Sequence, residues 1–159
     1  MPDQRELATA AALEIPRFVS ATVLFQTAMA ERLGISPTEL HGLQLVISGA
    51  ATSPTQLARA LGMTTGAVTR MLDRMEERRL VERAPDPADR RRLVVRPLPD
   101  RLDDVADLYS PVARFFGDRL AKLDRRQLAA LLGVLTDGRV FAEQEAVRLR
   151  SGSRKEGVD

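Results

Sequence analysis

The sequence predicts a mainly α fold with a small β-wing, a winged helix-turn-helix set between longer helices. Three observations carry that prediction. Two helix starts of one form, Ser36-Pro37-Thr38-Glu39 and Ser53-Pro54-Thr55-Gln56, place Ser at the N-cap, Pro at the first helical position and Glu or Gln at the third. The second of them opens a short helix that a tight turn joins to a longer one. Directly afterwards come two short β-prone segments enclosing a charged, proline-broken loop.

In chain order, Leu7, Ala11, Ile15, Phe18, Thr22, Phe25, Met29 and Leu33 recur near the helical period and define a long amphipathic helix. Pro16 lies inside it and either kinks it or divides off a short leading segment. Gly34 closes it as a C-cap. The first serine cap opens a helix to about Gly49, and the second a short helix through Leu57, Ala58 and Leu61 that Gly62 closes; both are capping boxes. Thr64 or Thr65 caps the next helix, which buries Val68, Met71, Leu72 and Met75 and runs to about Arg79. Residues 80–83 and 93–96 are strands, and residues 84–92, too long for a tight hairpin, form a wing. Pro97 and Pro99 stop the second strand. Asp100 caps a helix bearing Leu102, Val105, Leu108, Val112, Phe115, Phe116 and Leu120, which Pro111 bends. Asp124-Arg125-Arg126-Gln127 is another capping pattern and starts a last helix with Leu128, Leu131, Leu132, Leu135, Phe141, Ala142, Val147 and Leu149. Residues 151–159 are small and polar and are expected to be disordered.

With 159 residues, the chain has room for one domain, or for a small domain plus helices that finish their burial on a partner. The first helix and the last two carry stripes wider than a small winged domain covers, so they are expected to pack on a second subunit. The expected division is a helical dimerisation region at 1–35 and 100–150, a winged helix-turn-helix at 36–99 and a tail at 151–159. Lys+Arg exceed Asp+Glu by only 24 to 22, so the distribution of charge, not its sum, has to point to any polyanionic partner. The absence of cysteine removes disulfides and thiolate metal sites. No signal sequence is expected, nor any stretch apolar and uncharged enough to span a bilayer, which points to a cytoplasmic protein without a membrane partner. The adjacent acids Asp103-Asp104 and Glu76-Glu77 diverge around a helix and cannot share a proton; with no phosphate loop or nucleophile–base pair either, the chain is read as no enzyme, and no cofactor or metal is expected.

Residues 57–76, Leu57-Ala58-Arg59-Ala60-Leu61-Gly62-Met63-Thr64-Thr65-Gly66-Ala67-Val68-Thr69-Arg70-Met71-Leu72-Asp73-Arg74-Met75-Glu76, followed by Asp86-Pro87-Ala88-Asp89-Arg90-Arg91, resemble the MarR family, the multiple antibiotic resistance regulators. The second segment matches that family's wing signature. The resemblance covers nearly all of residues 5 to 150. It implies an intertwined helical homodimer binding a pseudo-palindromic double-stranded DNA operator, commonly as a repressor, and in many members released by a small apolar or aromatic effector. It also implies that Arg91 enters the minor groove and that Asp89 orients it. The family often has glycine where Arg79 stands; a left-handed conformation costs arginine more, so that helix end is expected to be capped differently.

Residues that would meet DNA are Thr64, Thr65, Thr69, Arg70 and Arg74 on the polar side of the recognition helix, with Gly66 and Ala67 keeping its first turn slim, and Asp89, Arg90 and Arg91 on the wing. An arginine triplet on a loop is ordinarily a solvated run, but here it directly follows a recognition helix. Candidate effector contacts are Phe18, Phe25, His41 and Tyr109, with Arg17 nearby, although aromatic residues at helical spacing are usually core. The same fold admits two rival readings, a ligand-independent DNA binder and a protein-interaction module.

Overall fold

The computed structural model describes residues 2–152. Six helices and two strands follow one another as α1 (Gln4–Leu33), α2 (Pro37–Ile47), α3 (Pro54–Leu61), α4 (Thr65–Glu77), β1 (Val81–Pro85), β2 (Leu93–Pro97), α5 (Pro99–Leu120) and α6 (Arg125–Gly152). The chain divides into two compact units with the boundary between Leu102 and Asp103. The mainly α fold with a β-wing is therefore as expected. The tail differs: Ser151 and Gly152 extend α6, and the remainder of the expected disordered segment lies outside the described residues.

Caps set most helix boundaries. Ser36 and Glu39 form a reciprocal capping box at α2. At α3 the Ser53 hydroxyl accepts from the Gln56 N–H, but the Gln56 carboxamide accepts from the N–H of Thr52 at 2.9 Å, one residue before the cap, so the expected second box is displaced. Thr64, not Thr65, caps α4. Asp124 and Gln127 cap α6 reciprocally. Two starts departed from expectation. The helix α1 begins at Gln4 under an Asp3–Glu6 box, and α5 begins at Pro99, one residue ahead of the Asp100 cap that was expected.

Neither Pro16 nor Pro111 divides its helix, for α1 and α5 run through both positions. The missing N–H of Pro16 removes one rung, opposite Ala12, on an exposed stretch where water can take the carbonyl. The expectation that no stretch could span a bilayer is also corrected. An 18-residue window of α1 has a mean hydropathy of 1.4, and none of it is buried within the chain. Its alanines, valines and phenylalanines outweigh Glu14 and Arg17, which pair with each other at 2.7 Å.

The core of the first unit gathers Leu40, Leu43 and Val46 of α2, Leu57 of α3, Val68, Met71, Leu72 and Met75 of α4, and Leu80, Val81 and Val95 at the base of the wing. Gly42 lets α2 approach α4, because a Cβ there would stand 3.2 Å from the Met71 methyl carbon. The strands pair antiparallel with Val81 opposite Pro97 and Pro85 opposite Leu93, so β1 runs two residues beyond Arg83, where it was expected to end. A bond unsignalled in the sequence, Val95 N–H to the Thr52 carbonyl at 2.8 Å, ties the wing to the segment before α3.

Three helices close alike. The N–H groups of Gly34 and Ile35 return to Glu31 and Ala30, those of Gly62 and Met63 to Arg59 and Ala58, and those of Arg79 and Leu80 to Glu76 and Met75. This is the Schellman arrangement, which needs a left-handed residue. Arg79 supplies it at φ 57°, so the expectation of a different cap at this end is corrected. Burial of Leu80 beside fully buried Met75 fixes the chain's exit from α4 and holds Arg79 in that conformation. Replacing Arg79 by glycine is therefore expected to raise the unfolding free energy by about 1 kcal/mol, read from urea midpoints. A lower midpoint in Arg79→Gly would contradict this account of the cap.

Candidate nucleic-acid interface

The recognition helix α4 turns its apolar side inward, so the 3.6-residue period sets Gly66 and Arg70 on the outer face and polar residues on both flanks. Thr64, Thr65, Thr69 and Arg70 are exposed. Two of the threonine hydroxyls are used by the helix itself: Thr64 accepts from the Ala67 N–H, and Thr69 donates to the Thr65 carbonyl at 3.0 Å. A Cβ on Gly66 would meet only Arg70 Nη1, at 3.8 Å, so packing within the chain does not require glycine there.

An ion-pair system holds each flank of α4, and the sequence reading found neither. On one flank, Glu39 of α2 is almost fully buried. Its Oε2 accepts from the Ser36 N–H at 2.8 Å and the Ser36 hydroxyl at 3.0 Å, while Oε1 accepts from Arg74 Nε at 2.7 Å and lies 3.7 Å from Arg78 Nη1. Burial by itself raises the pKa of this carboxyl, but the Ser36 backbone and the Arg74 guanidinium outweigh it and the net shift is downward. On the other flank, Arg83 of β1 binds Glu76 through Nε at 2.9 Å and through Nη2, and binds Asp73 through Nη2 at 2.6 Å. The hydrogen bond from Arg83 dominates in lowering the Glu76 pKa, and the same bond raises that of Arg83. The sequence did contain the signal: Arg74 and Arg78 stand one turn apart, as do Asp73 and Glu76.

In the wing, Arg90, Arg91 and Arg92 are all exposed. Asp86 and Asp89 shape the loop by accepting from the backbone N–H groups of Ala88 and Arg91, and the Asp86 N–H donates to the Arg92 carbonyl. The Asp89 carboxylate thus holds the backbone of Arg91, and it pairs with the Arg92 side chain at 3.7 Å. Arg91 and Arg92 also line an open groove of about 570 Å³ with Ser53, Pro54, Thr55 and Gln56 from the start of α3.

The expected effector residues differ in exposure. Phe18 is half exposed on α1, Phe25 is partly covered, His41 is exposed on α2, and Tyr109 is partly covered in the second unit. Neither the wing groove nor a shallow depression along α6 is lined by any of them. Arg17 is paired with Glu14. Among the described residues, no cluster of His, Asp and Glu is grouped to hold a metal.

Comparison with known proteins places this geometry. The description of the MarR family matches residues 33–92. An uncharacterised HTH-type transcriptional regulator of Bacillus subtilis strain 168, YcgE, is 31% identical over 129 residues, which is 81% of this chain and 84% of the relative. The chain belongs to the MarR family. Like other MarR-family proteins it is a transcriptional regulator with a DNA-binding winged helix, and it is not an enzyme. Among solved structures, the regulator Tm0710 from Thermotoga maritima superposes with a TM-score of 0.57 at 21% identity, over 87% of this chain and 98% of that one. A mutant of MarR from E. coli complexed with operator DNA superposes with a TM-score of 0.50 at 22% identity, over 86% and 98%.

The two carboxylates set an acid limit. Glu39 and Glu76 both titrate below the ordinary glutamate value of 4.5, so their contribution to stability is fully present above that value and is lost as pH falls through their lowered values. Urea midpoints are expected to stay level from neutral pH down to that value and to fall below it. In Glu39→Gln the neutral plateau should be lower and the acid fall shallower. An acid limb identical in variant and wild type would count against the network.

Proposed function

We propose that this MarR-family chain is a homodimeric repressor that grips a pseudo-palindromic operator, with α4 in the major groove and the wing on the adjacent minor groove. The observation that carries the reading is the outer face of α4. It is slim at Gly66 for no reason of internal packing, it carries Arg70, and its flanks are held by ion pairs. A helix presented in that way suits the major groove, and an arginine-tipped loop suits a narrow minor groove. In this reading Thr64, Thr65, Thr69, Arg70 and Arg74 face the duplex with Arg90 and Arg91, and Asp89 sets the Arg91 backbone. The likeness to an operator-bound MarR structure supports the same assignment.

Dimerisation is assigned to residues 1–35 and 100–150, and DNA binding to 36–99. Apolar exposure supports the assignment. Leu13, Ile15, Val23 and Leu24 on α1 are at least 57% exposed, as are Leu132, Leu135, Phe141 and Leu149 on α6, which is more than a soluble monomer commonly leaves in water. Coverage by a second copy also accounts for the apolar window of α1 without a bilayer, in keeping with a cytoplasmic protein. A small apolar or aromatic effector, touching some of Phe18, Phe25, His41 and Tyr109, would release the operator by favouring another separation of the recognition helices.

Light scattering at micromolar concentration is expected to give the mass of a dimer; a monomer would contradict the assembly. A duplex selected from a random pool should be an inverted repeat with half-sites about one helical turn apart. Arg91→Ala should weaken binding to it and lower the slope of log K against log salt by about one unit per subunit, with folding intact. Gly66→Ala should fold with stability raised by about 0.5–1 kcal/mol yet bind the selected duplex more weakly. Unchanged affinity in both variants would overturn the interface. Thermal-shift hits among phenolic carboxylates should lower operator affinity if the effector reading holds; hits that stabilise the protein without releasing DNA would remove it.

A further inference from the structure

The charge on Glu39 exceeds what its cap requires. The equivalent position at α3 and at α6 is glutamine, and Gln127 closes its box as well, accepting from the Asp124 N–H at 2.9 Å. Capping needs only an acceptor oxygen. At Glu39, one oxygen serves the cap, while the other faces Arg74 and Arg78 of the recognition helix. That carboxylate is 4% exposed, whereas the Arg74 side chain is 50% exposed, so the ion pair has a fixed end inside the protein and a half-open end at its surface.

We propose that Glu39 is a positioning residue for operator recognition: by binding Nε it fixes the plane of the Arg74 guanidinium and so sets discrimination between sequences, while reducing indiscriminate attraction to the phosphate backbone. The proposal rests on the DNA-binding reading above. A guanidinium carries its donors in a rigid fork, so anchoring Nε leaves the remaining donors in one orientation instead of many. An unanchored arginine on a helix that meets DNA finds phosphates at every sequence, because each phosphate presents the same charge. An anchored one meets only those base edges or phosphates that the docked helix brings to it. The neighbouring carboxylate also offsets part of its charge, and non-specific binding is the part of affinity that depends on charge alone.

A purely structural bridge would give a different outcome, because its loss would loosen the helix and weaken binding to every duplex alike. The test measures fluorescence anisotropy of wild type, Glu39→Gln and Arg74→Lys on two duplexes of equal length, one selected from a random pool and one non-cognate, across a range of salt. Glutamine keeps an acceptor for the cap and removes the charge. Glu39→Gln is expected to bind the non-cognate duplex about threefold more tightly, to steepen its salt slope by up to about one unit per subunit, and to lose about tenfold in the ratio of selected to non-cognate affinity. Arg74→Lys keeps the charge and loses the fork, and its ratio should also fall about tenfold. Should Glu39→Gln fail to fold by circular dichroism, Arg74→Lys, altered on a half-exposed side chain, decides alone. Either variant retaining the wild-type ratio, or Glu39→Gln weakening on both duplexes in equal proportion, would overturn the proposal. Failure of the wild type to bind either duplex would instead overturn the DNA-binding reading, and this proposal with it.

Discussion

A single carboxylate with almost no access to water joins the start of α2 to the flank of the recognition helix. Glu39 is charged, and an unpaired charge at that depth would cost several kcal/mol. Its two oxygens therefore have to be filled together, Oε2 by Ser36 and Oε1 by Arg74. That requirement couples the register of α2 to the position of α4. On the opposite flank Arg83 ties α4 to β1, and beneath it Gly42 admits Met71 close to the α2 backbone. Helix α4 is thus held on two polar flanks and one apolar seam, and the face carrying Gly66 and Arg70, with half-exposed Arg74 at its edge, remains for a ligand.

Elements of the chain differ in how far they complete their own burial. Helices α2, α3 and α4 and the wing base surround a shared apolar core. Among the described residues beyond Leu102, Val105 alone is buried. Burying one large apolar side chain is worth roughly 1.5–3 kcal/mol, so the exposed leucines, valines and phenylalanines of α1 and α6 represent a large driving force awaiting a partner. A second copy would use that force and, through the same helices, fix the distance between two recognition helices. In the proposed dimer, assembly and reading of a spaced operator would be one problem.

Periodicity and turn chemistry made much of this fold legible. The serine caps at Ser36 and Ser53, the glycine closures at Gly34 and Gly62, and the buried set Val68, Met71, Leu72 and Met75 could all be read locally. Local signals misled where tertiary context won. Arg79 takes a left-handed conformation because Leu80 must be buried beside Met75. The Asp3–Glu6 box at α1 is a local signal of the same kind as the serine caps. The candidate site was legible as a set of residue types. Its electrostatics were not, since Glu39 and Arg74 stand 35 positions apart and no local pattern says which cap acid is also a counter-ion. The wing motif marked Asp89, whose carboxylate accepts from the Arg91 N–H and pairs with the Arg92 side chain at 3.7 Å.

The central claim is that a recognition helix braced by Glu39 and Arg83 reads the major groove while the wing arginines occupy the minor groove. Dimethyl sulfate footprinting on the selected duplex tests it most directly, because the reagent methylates guanine N7 in the major groove and adenine N3 in the minor groove. The account predicts two tracts of N7 protection about one helical turn apart, each flanked by N3 protection that disappears in Arg91→Ala. Protection confined to the minor groove, or a single unpaired tract, would contradict it.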